Sequence, residues 1–249
     1  MNAVNASGRV ALVTGAAGTM GAATAVRLAA DGHRVALVDI AAERVSALAK
    51  QIGDMAVPVT ADLSTAEGAA QAVAATERAL GAVDILVNNA GILSNNKIAE
   101  TTPEEWHRVL GINLDGAFHL SRAVLPGMKA RRFGRIVNTC SYAMKSGGLT
   151  AGTAYTVSKG ALQALTFSLA REFAAFGITV NGIAPAYVKT PMVTEQLTEA
   201  QREALIAQIP VGRFCEPEEF AHCVAFFVSP LAGFITGEIL DLNGGLQFD

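Results

Sequence analysis

Charged side chains are scarce in this sequence: Asp, Glu, Lys and Arg supply 16% of it, and the formal net charge at pH 7 is only -3. A protein that grips a phosphate backbone neutralises it with clustered Lys and Arg. The one dense basic run, from Lys129 to Arg135, is broken by apolar residues and glycine, so nucleic acid is not the expected partner. Cysteine is equally sparse. Cys140, Cys215 and Cys223 are an odd number without disulfide or metal-ligand spacing, and four scattered histidines form no HxxxH or His/Cys cluster. No metal is expected, and reduced thiols fit a cytoplasmic protein. Long apolar runs are missing too. Nothing approaches the roughly twenty residues needed to cross a bilayer, and the opening MNAVNASGR has no signal-peptide apolar segment. The expectation is a soluble, unexported protein with no membrane partner.

What the chain has instead is apolar bulk: hydrophobic residues make up 51% of its 249 positions, with abundant Ala and Gly. That suits a large core of helices packed tightly on a sheet. No stretch reads as a linker, so a single α/β domain over residues 1–249 is expected. Short β-branched runs alternate with Ala-rich helical patterns; RVALVT, RVALVD, AVPVT, DILVN, RIVNT, ITVNG and EILDL are the expected strands. Ser64 with Glu67, Thr102 with Glu105 after Pro103, and Thr198 with Gln201 each fit a capping box at a helix start. Seven strands joined by helical crossovers predict a Rossmann-like doubly wound sheet, mostly parallel, with helices on both faces. Its ligands should sit at the carboxyl ends of the strands, where the winding reverses.

Chemistry-bearing residues fall at those ends. TGAAGTMG, Thr14 to Gly21, follows the first strand and precedes a helix, the context in which glycines let phosphates approach unpaired helix amides. On its own the motif is equally a tight strand-to-helix turn. Asp39 ends the second strand eighteen residues after Gly21, where a carboxylate can accept hydrogen bonds from an adenosine ribose and repel a 2′-phosphate. With Ile40 next and no Arg or Lys inside the loop, NAD is favoured over NADP; Asp39 as an ordinary helix N-cap is the competing reading. Tyr155 and Lys159 stand four residues apart on one helix face, where an ammonium favours the phenolate form of its neighbour. That spacing also arises by chance in amphipathic helices.

Taken together, TGAAGTMG, Asp39, Asp62-Leu63, NNAG at Asn88 to Gly91, Asn113, Ser141 and the Tyr155/Lys159 pair resemble the short-chain dehydrogenase/reductase family along essentially the whole chain. Hydride transfer from an alcohol carbon to nicotinamide needs a base for the hydroxyl proton, a donor to hold the oxygen and a fixed cofactor. The resemblance implies that Tyr155 is the acid/base, and that Lys159 lowers its pKa and binds the nicotinamide ribose. It implies that Ser141 holds the substrate oxygen, although by itself Ser141 is only the end of a strand. Asn113, otherwise a surface or capping residue, is implied to sit in a helix distortion that holds a water against the lysine. Gly15, Gly18, Thr19, Met20 and Gly21 would cradle the pyrophosphate, and Asp39 and Ile40 would meet the ribose. Asp62 and Leu63 would meet the adenine, with Asn89, Ala90 and Gly91 beside the adenosine half. Pro185, Val188 and Thr190 would meet the carboxamide.

The sequence also departs from the family's pattern. Thr19 takes the place of the usual second loop glycine, with Gly18 one position early. The span from Ser141 to Tyr155 is one residue longer than the common spacing, which puts Tyr142 where an ungapped count expects the serine. Ala186 follows Pro185 where the family usually has glycine. Substrate selection is expected from a lid at about 186–211, and the pocket wall from Leu93, Ser94, Met144, Leu149, Tyr187 and Met192. Leu197, Ile206 and Ile209 in the lid fit core packing equally well. The apolar character of these residues favours an uncharged substrate, with Lys145 and Lys189 leaving room for an anionic one. The leading expectation is an NAD-dependent oxidoreductase acting on a secondary alcohol or the matching ketone. Its rival is a 3-oxoacyl-[acyl-carrier-protein] reductase, opposed by Asp39 and by Phe176 where a basic residue would help Arg132 dock the carrier. A cofactor-sensing protein without chemistry is a third reading, opposed by the presence of Tyr155 and Lys159. Family members usually pair through two long helices, here 102–131 and 153–176, and through the final strand, so a homotetramer is expected, with a dimer behind it.

Overall fold

The structure, a computed structural model, describes residues 8–191 and 198–248. Its strands are β1 (Val10–Thr14), β2 (Arg34–Asp39), β3 (Ala56–Thr60), β4 (Ile85–Asn88), β5 (Gly134–Thr139), β6 (Ile178–Pro185) and β7 (Ile239–Leu242). They form one sheet in the order β3-β2-β1-β4-β5-β6-β7, and every pairing among the described residues is parallel. All seven lie where the β-branched runs predict them.

Alternation along the strands builds the three layers. In β1, Val10 and Leu12 point to one face, where they meet α3 (Ala66–Leu80), α5 (Gly116–Arg131) and Ala170 of α7 (Thr153–Phe173). Ala11 and Val13 point to the other, towards α1 (Thr19–Ala30), α2 (Ala42–Ile52) and α9 (Pro217–Val228). Because both faces are covered, β1 and β4 read as near-continuous apolar runs, as in other parallel sheets, with polar Thr14 and Asn88 only at their carboxyl ends. The chain winds outward from β1 to β3, then α3 carries it back to β4 on the other side of β1. The reversal therefore lies between β1 and β4, and a crevice opens at their carboxyl ends.

Local chemistry fixes the helix starts, with one shift from expectation. Thr102 caps α4 (Pro103–Leu110) by accepting from the Glu105 amide. Thr198 and Gln201 form a full capping box at α8 (Glu199–Ile206). At α3 the cap is Thr65, not Ser64: the Ser64 hydroxyl is turned back to the Asp62 carboxylate at 2.7 Å, and Thr65 accepts from Gly68. Between α4 and α5 a π-helical turn, Gly111–Asp115, keeps the rod continuous.

Candidate active site

The crevice begins at the glycine loop, whose shape is set by missing side chains. Gly15 has φ +62°, and a Cβ there would lie 2.9 Å from the Ala90 Cα; a Cβ on Gly21 would lie 2.2 Å from the Gly15 carbonyl oxygen. Neither position accepts a side chain. Gly18, at φ -83°, is the N-cap of α1, and Thr19 is the first helical residue. No side chain caps this helix, so its first amides and its positive dipole end face the crevice. Asn89 clamps the loop from the neighbouring strand. Its Nδ2 donates to the Thr14 carbonyl at 3.0 Å, while Thr14 Oγ1 accepts from the Asn89 and Ala90 amides, each at 2.9 Å.

Asp39 is joined to this loop. One carboxylate oxygen accepts the Ala17 amide and the other the Ala41 amide, each at 3.1 Å. The N-cap of α2 is Ala41, so Asp39 ties loop to helix rather than acting as the cap residue. Ile40 is exposed beside it. Arg44, on the first turn of α2, donates to the Ala17 carbonyl and so brings a cation to a loop that has none of its own. Asp62 is exposed, and hydrogen bonds from the Ser64 hydroxyl and amide hold its carboxyl below the usual range. Leu63 is buried in the core.

The catalytic side is built from side chains that hold one another. Asn113 is buried in the π-helical turn; its Nδ2 donates to the Ile92 carbonyl and Ser158 Oγ, each at 3.0 Å, and its Oδ1 accepts the Ile92 amide at 2.8 Å. The turn thus anchors the segment after Gly91, where a Cβ would lie 3.4 Å from Lys159 Nζ. Lys159 is itself buried and donates to the Thr139 carbonyl at 2.7 Å. Burial pulls its pKa down to about 8. Tyr155, with Lys159 Nζ 5.7 Å from its ring centre, hydrogen-bonds with the Ser141 side chain. Burial raises the Tyr155 pKa, and the Ser141 contact offsets part of that rise. The extra residue between Ser141 and Tyr155 is absorbed in a loop in which Gly147 and Gly148 adopt φ of +67° and +73°, and Ser141 still reaches the tyrosine.

These groups open onto a cavity of about 270 Å³. Ser141, Tyr155 and Lys159 line it together with Met20, Asn89 and Gly91 from the cofactor side and Pro185, Val188 and Thr190 from the end of β6. Of the expected pocket residues, Leu93, Leu149 and Tyr187 line it. Ser94 does not, because its hydroxyl is bound to Glu105, and Met144 packs instead beside Cys140 and Leu162. Met192 and Leu197 lie outside the described residues. Of the residues expected in the lid, Ile209 is buried and lines a separate small cavity with Val211 and Leu242. Ile92, Tyr142, Ser146, Thr150 and Ala151 are wall residues that sequence reasoning missed; the last four lie within the lengthened loop, whose extra residue was the available signal, and Ile92 comes from the segment after β4. Lys145 pairs with Asp241 at 2.7 Å and Lys189 with Glu216 at 3.0 Å. Lys159 is therefore the one charged residue lining the cavity among the described residues.

A doubly wound sheet with a glycine-moulded, uncapped helix end at its reversal, next to a Ser–Tyr–Lys set, defines a dinucleotide-dependent oxidoreductase. Comparison with known proteins narrows this. The family model described as "Enoyl-(Acyl carrier protein) reductase" matches residues 15–247. An acetoacetyl-CoA reductase of Rhizobium meliloti is 44% identical over 96% of this chain and 99% of its own length. The 3-oxoacyl-[acyl-carrier-protein] reductase FabG of Vibrio cholerae is 41% identical over 98% of this chain and 99% of its own. A crystal structure titled as a short-chain dehydrogenase/reductase from Brucella melitensis superposes with a TM-score of 0.89 at 34% identity, covering 98% of both chains. The chain belongs to the short-chain dehydrogenase/reductase family, whose members bind a nicotinamide cofactor.

Proposed function

We propose that this protein is an NAD-dependent ketone reductase and secondary-alcohol dehydrogenase acting on a small, largely apolar substrate. The observation that carries this is the convergence of Ser141, Tyr155 and Lys159 on one cavity wall while the uncapped end of α1 meets the same crevice. The cofactor, when bound, supplies or accepts the hydride. The residues present fit it: Gly15 and Gly21 leave the loop free of Cβ atoms, the first turn of α1 presents amides to phosphate, and Asp39 retains lone pairs for ribose hydroxyls.

The chain's own residues then divide the remaining work. Ser141 donates a hydrogen bond to the substrate oxygen and steadies the charge that develops there. Tyr155, its pKa raised by burial, is protonated at neutral pH and delivers a proton to that oxygen as the ketone is reduced. Lys159, still mostly protonated at pH 7 with a pKa of about 8, places positive charge beside the tyrosine and reaches towards the ribose hydroxyls. Asn113 holds the Ile92 backbone and so fixes the floor of the pocket. The segment at 186–211 serves as the lid that excludes water. The absence of a second charged wall residue among those described supports an uncharged reacting portion.

A second reading is that the ketone belongs to a short 3-oxoacyl thioester. It is favoured by the names of the acetoacetyl-CoA and 3-oxoacyl-[acyl-carrier-protein] reductases that this chain resembles. Lys129 Nζ also lies 4.2 Å from the Phe176 ring centre, close to Arg132, which donates to Ala175; these cations supply part of the basic rim that Phe176 lacks. Exposed Phe118 on α5 and Phe167 on α7 support assembly through the long helices, with a homotetramer as the proposed form. The test follows reduced-nicotinamide absorbance with NAD or NADP over aliphatic, cyclic and aryl alcohols, their ketones and a 3-oxoacyl thioester. Turnover of simple ketones with the NAD pair is the expected result. Turnover confined to the thioester would establish the second reading, and cofactor binding without any turnover would favour the sensing role.

A further inference from the structure

The cavity wall contributed by the lengthened span is a loop with little to hold it from within. After α6 (Ala143–Ser146), Gly147 and Gly148 take φ of +67° and +73°, and Leu149, Thr150 and Ala151 follow on the wall. Inside the loop the Gly148 carbonyl receives a long bond, 3.2 Å, from the Ala151 amide. Firmer support comes from the segment after β4. The Gly152 amide donates to the Ser94 carbonyl at 2.7 Å, and the Thr153 amide to the Asn96 carbonyl at 3.0 Å. The Lys97 ammonium donates to the Gly148 carbonyl at 2.5 Å and to the Ala151 carbonyl at 2.6 Å, and Lys97 forms no ion pair among the described residues. We propose that Lys97 is a positioning residue that sets the substrate wall, and with it a preference for small ketones over bulky ones, by clamping the loop onto the segment after β4. This deepens the reading of the cavity as a ketone site and rests on it.

Lysine suits this task because its ammonium is a compact charge with three rotatable donors, able to meet two carbonyls at once. A hydrogen bond from a charged donor is about twice as strong as a neutral one. The clamp is itself anchored. Glu105 of α4 accepts the Ser94 hydroxyl with one oxygen and the Asn96 side-chain amide, at 2.8 Å, with the other. The segment that carries Lys97 therefore cannot drift with the loop. The two segments also touch through their backbones: a Cβ on Gly152 would lie 2.5 Å from the Asn96 carbonyl oxygen and 2.7 Å from that of Ser94. Lys97 does not line the cavity, so it acts on substrate through Leu149, Thr150 and Ala151. Once the ammonium is gone, the Gly148 and Ala151 carbonyls must find water instead, which draws the loop outward. The cavity then widens on the Leu149 side, where a bulky ketone gains room and a small one loses contact.

The test pairs substrate selectivity with amide hydrogen exchange in the wild type, Lys97→Met and Lys97→Arg. Values of kcat/KM are measured for butan-2-one and acetophenone with reduced nicotinamide, and exchange is followed over residues 147–153 in the cofactor-free protein. Lys97→Met should exchange faster at Gly152 and Thr153. It should also raise acetophenone relative to butan-2-one at least about tenfold, chiefly through KM. Lys97→Arg keeps a charged donor and should retain part of the wild-type ratio. A merely structural role would weaken both ketones together and leave the ratio alone. A Lys97→Met ratio within about twofold of the wild type would overturn the proposal, as would unchanged exchange. If Lys97→Met does not fold, Lys97→Gln, neutral and shorter, carries the same expectation. Turnover of neither ketone by the wild type would overturn the ketone reading and the selectivity with it, while faster exchange in Lys97→Met would leave the clamp on the loop standing.

Discussion

The adenosine side of the crevice is made of backbone held open by missing side chains, whereas the catalytic side is made of buried side chains held by one another. On the first side the critical distances belong to carbonyls and amides: Gly21 against the Gly15 carbonyl, and Thr14 against the amides of Asn89 and Ala90. On the second, Asn113 grips Ile92 and Ser158, Lys159 grips Thr139, and Ser141 meets Tyr155. The difference teaches where each kind of substitution acts. Adding one methyl group breaks the first side, while the second tolerates shape-preserving changes and loses chemistry.

The largest expected effect on the loop and its ligand is on the backbone side. Gly21→Ala puts a Cβ 2.2 Å from the Gly15 oxygen, so the loop must move. A shift of about 1 Å at a positioning element costs roughly a hundredfold in rate, so kcat/KM for ketone reduction should fall by at least about that factor, and dinucleotide affinity measured by fluorescence titration should fall with it. An unperturbed affinity would show that the loop is more plastic than its contacts imply.

A smaller effect sharpens the side-chain half of the comparison. The pKa of Lys159 is 10.5 when unperturbed and about 8 in the fold. Between those values the unfolded chain binds more protons than the folded one, so this group makes stability rise with pH across that window. Relative to Lys159→Met, which has no titrating group there, the wild type should therefore gain stability as pH goes from 8 to 10.5 in cofactor-free urea unfolding. A constant difference between the two proteins would contradict a desolvated amine at this position.

The smallest effect returns to the loop. Gly18 has φ -83°, and a Cβ there would meet the Gly15 oxygen at 3.2 Å. Gly18→Ala should change stability by no more than about 1 kcal/mol, because the backbone is already in a region alanine adopts. Thermal unfolding of Gly18→Ala and Gly21→Ala side by side would break the account if the two behaved alike.

Most of the architecture was legible in the sequence because parallel strands buried on both faces read as apolar β-branched runs. Caps were legible where one hydroxyl competes for one helix start, as at Thr102 and Thr198. At Ser64 and Thr65 two hydroxyls compete, and the Asp62 carboxylate decides between them by taking the serine. The π-helical turn at Asn113 follows from no local propensity; its cause is the remote Ile92 backbone that the amide satisfies. For the same reason Ser94 was misplaced on the pocket wall, since its hydroxyl belongs to Glu105 and its carbonyl to the Gly152 amide ahead of α7. The expected lowering of the tyrosine pKa by the lysine is not what the fold shows: burial raises Tyr155, the contact with Ser141 rather than Lys159 offsets part of the rise, and burial depresses Lys159. Contacts made across long stretches of sequence are what pattern reading could not supply.

The most direct test of the central claim is a paired measurement on Tyr155→Phe: kcat for ketone reduction, and dinucleotide affinity in the same preparation. The phenol oxygen is the only atom removed, so the account predicts a fall in kcat of about a thousandfold or more with affinity nearly unchanged. Retention of most of the turnover by Tyr155→Phe would contradict the assignment of the proton to this residue and, with it, the reading of the Ser–Tyr–Lys set as the catalytic centre.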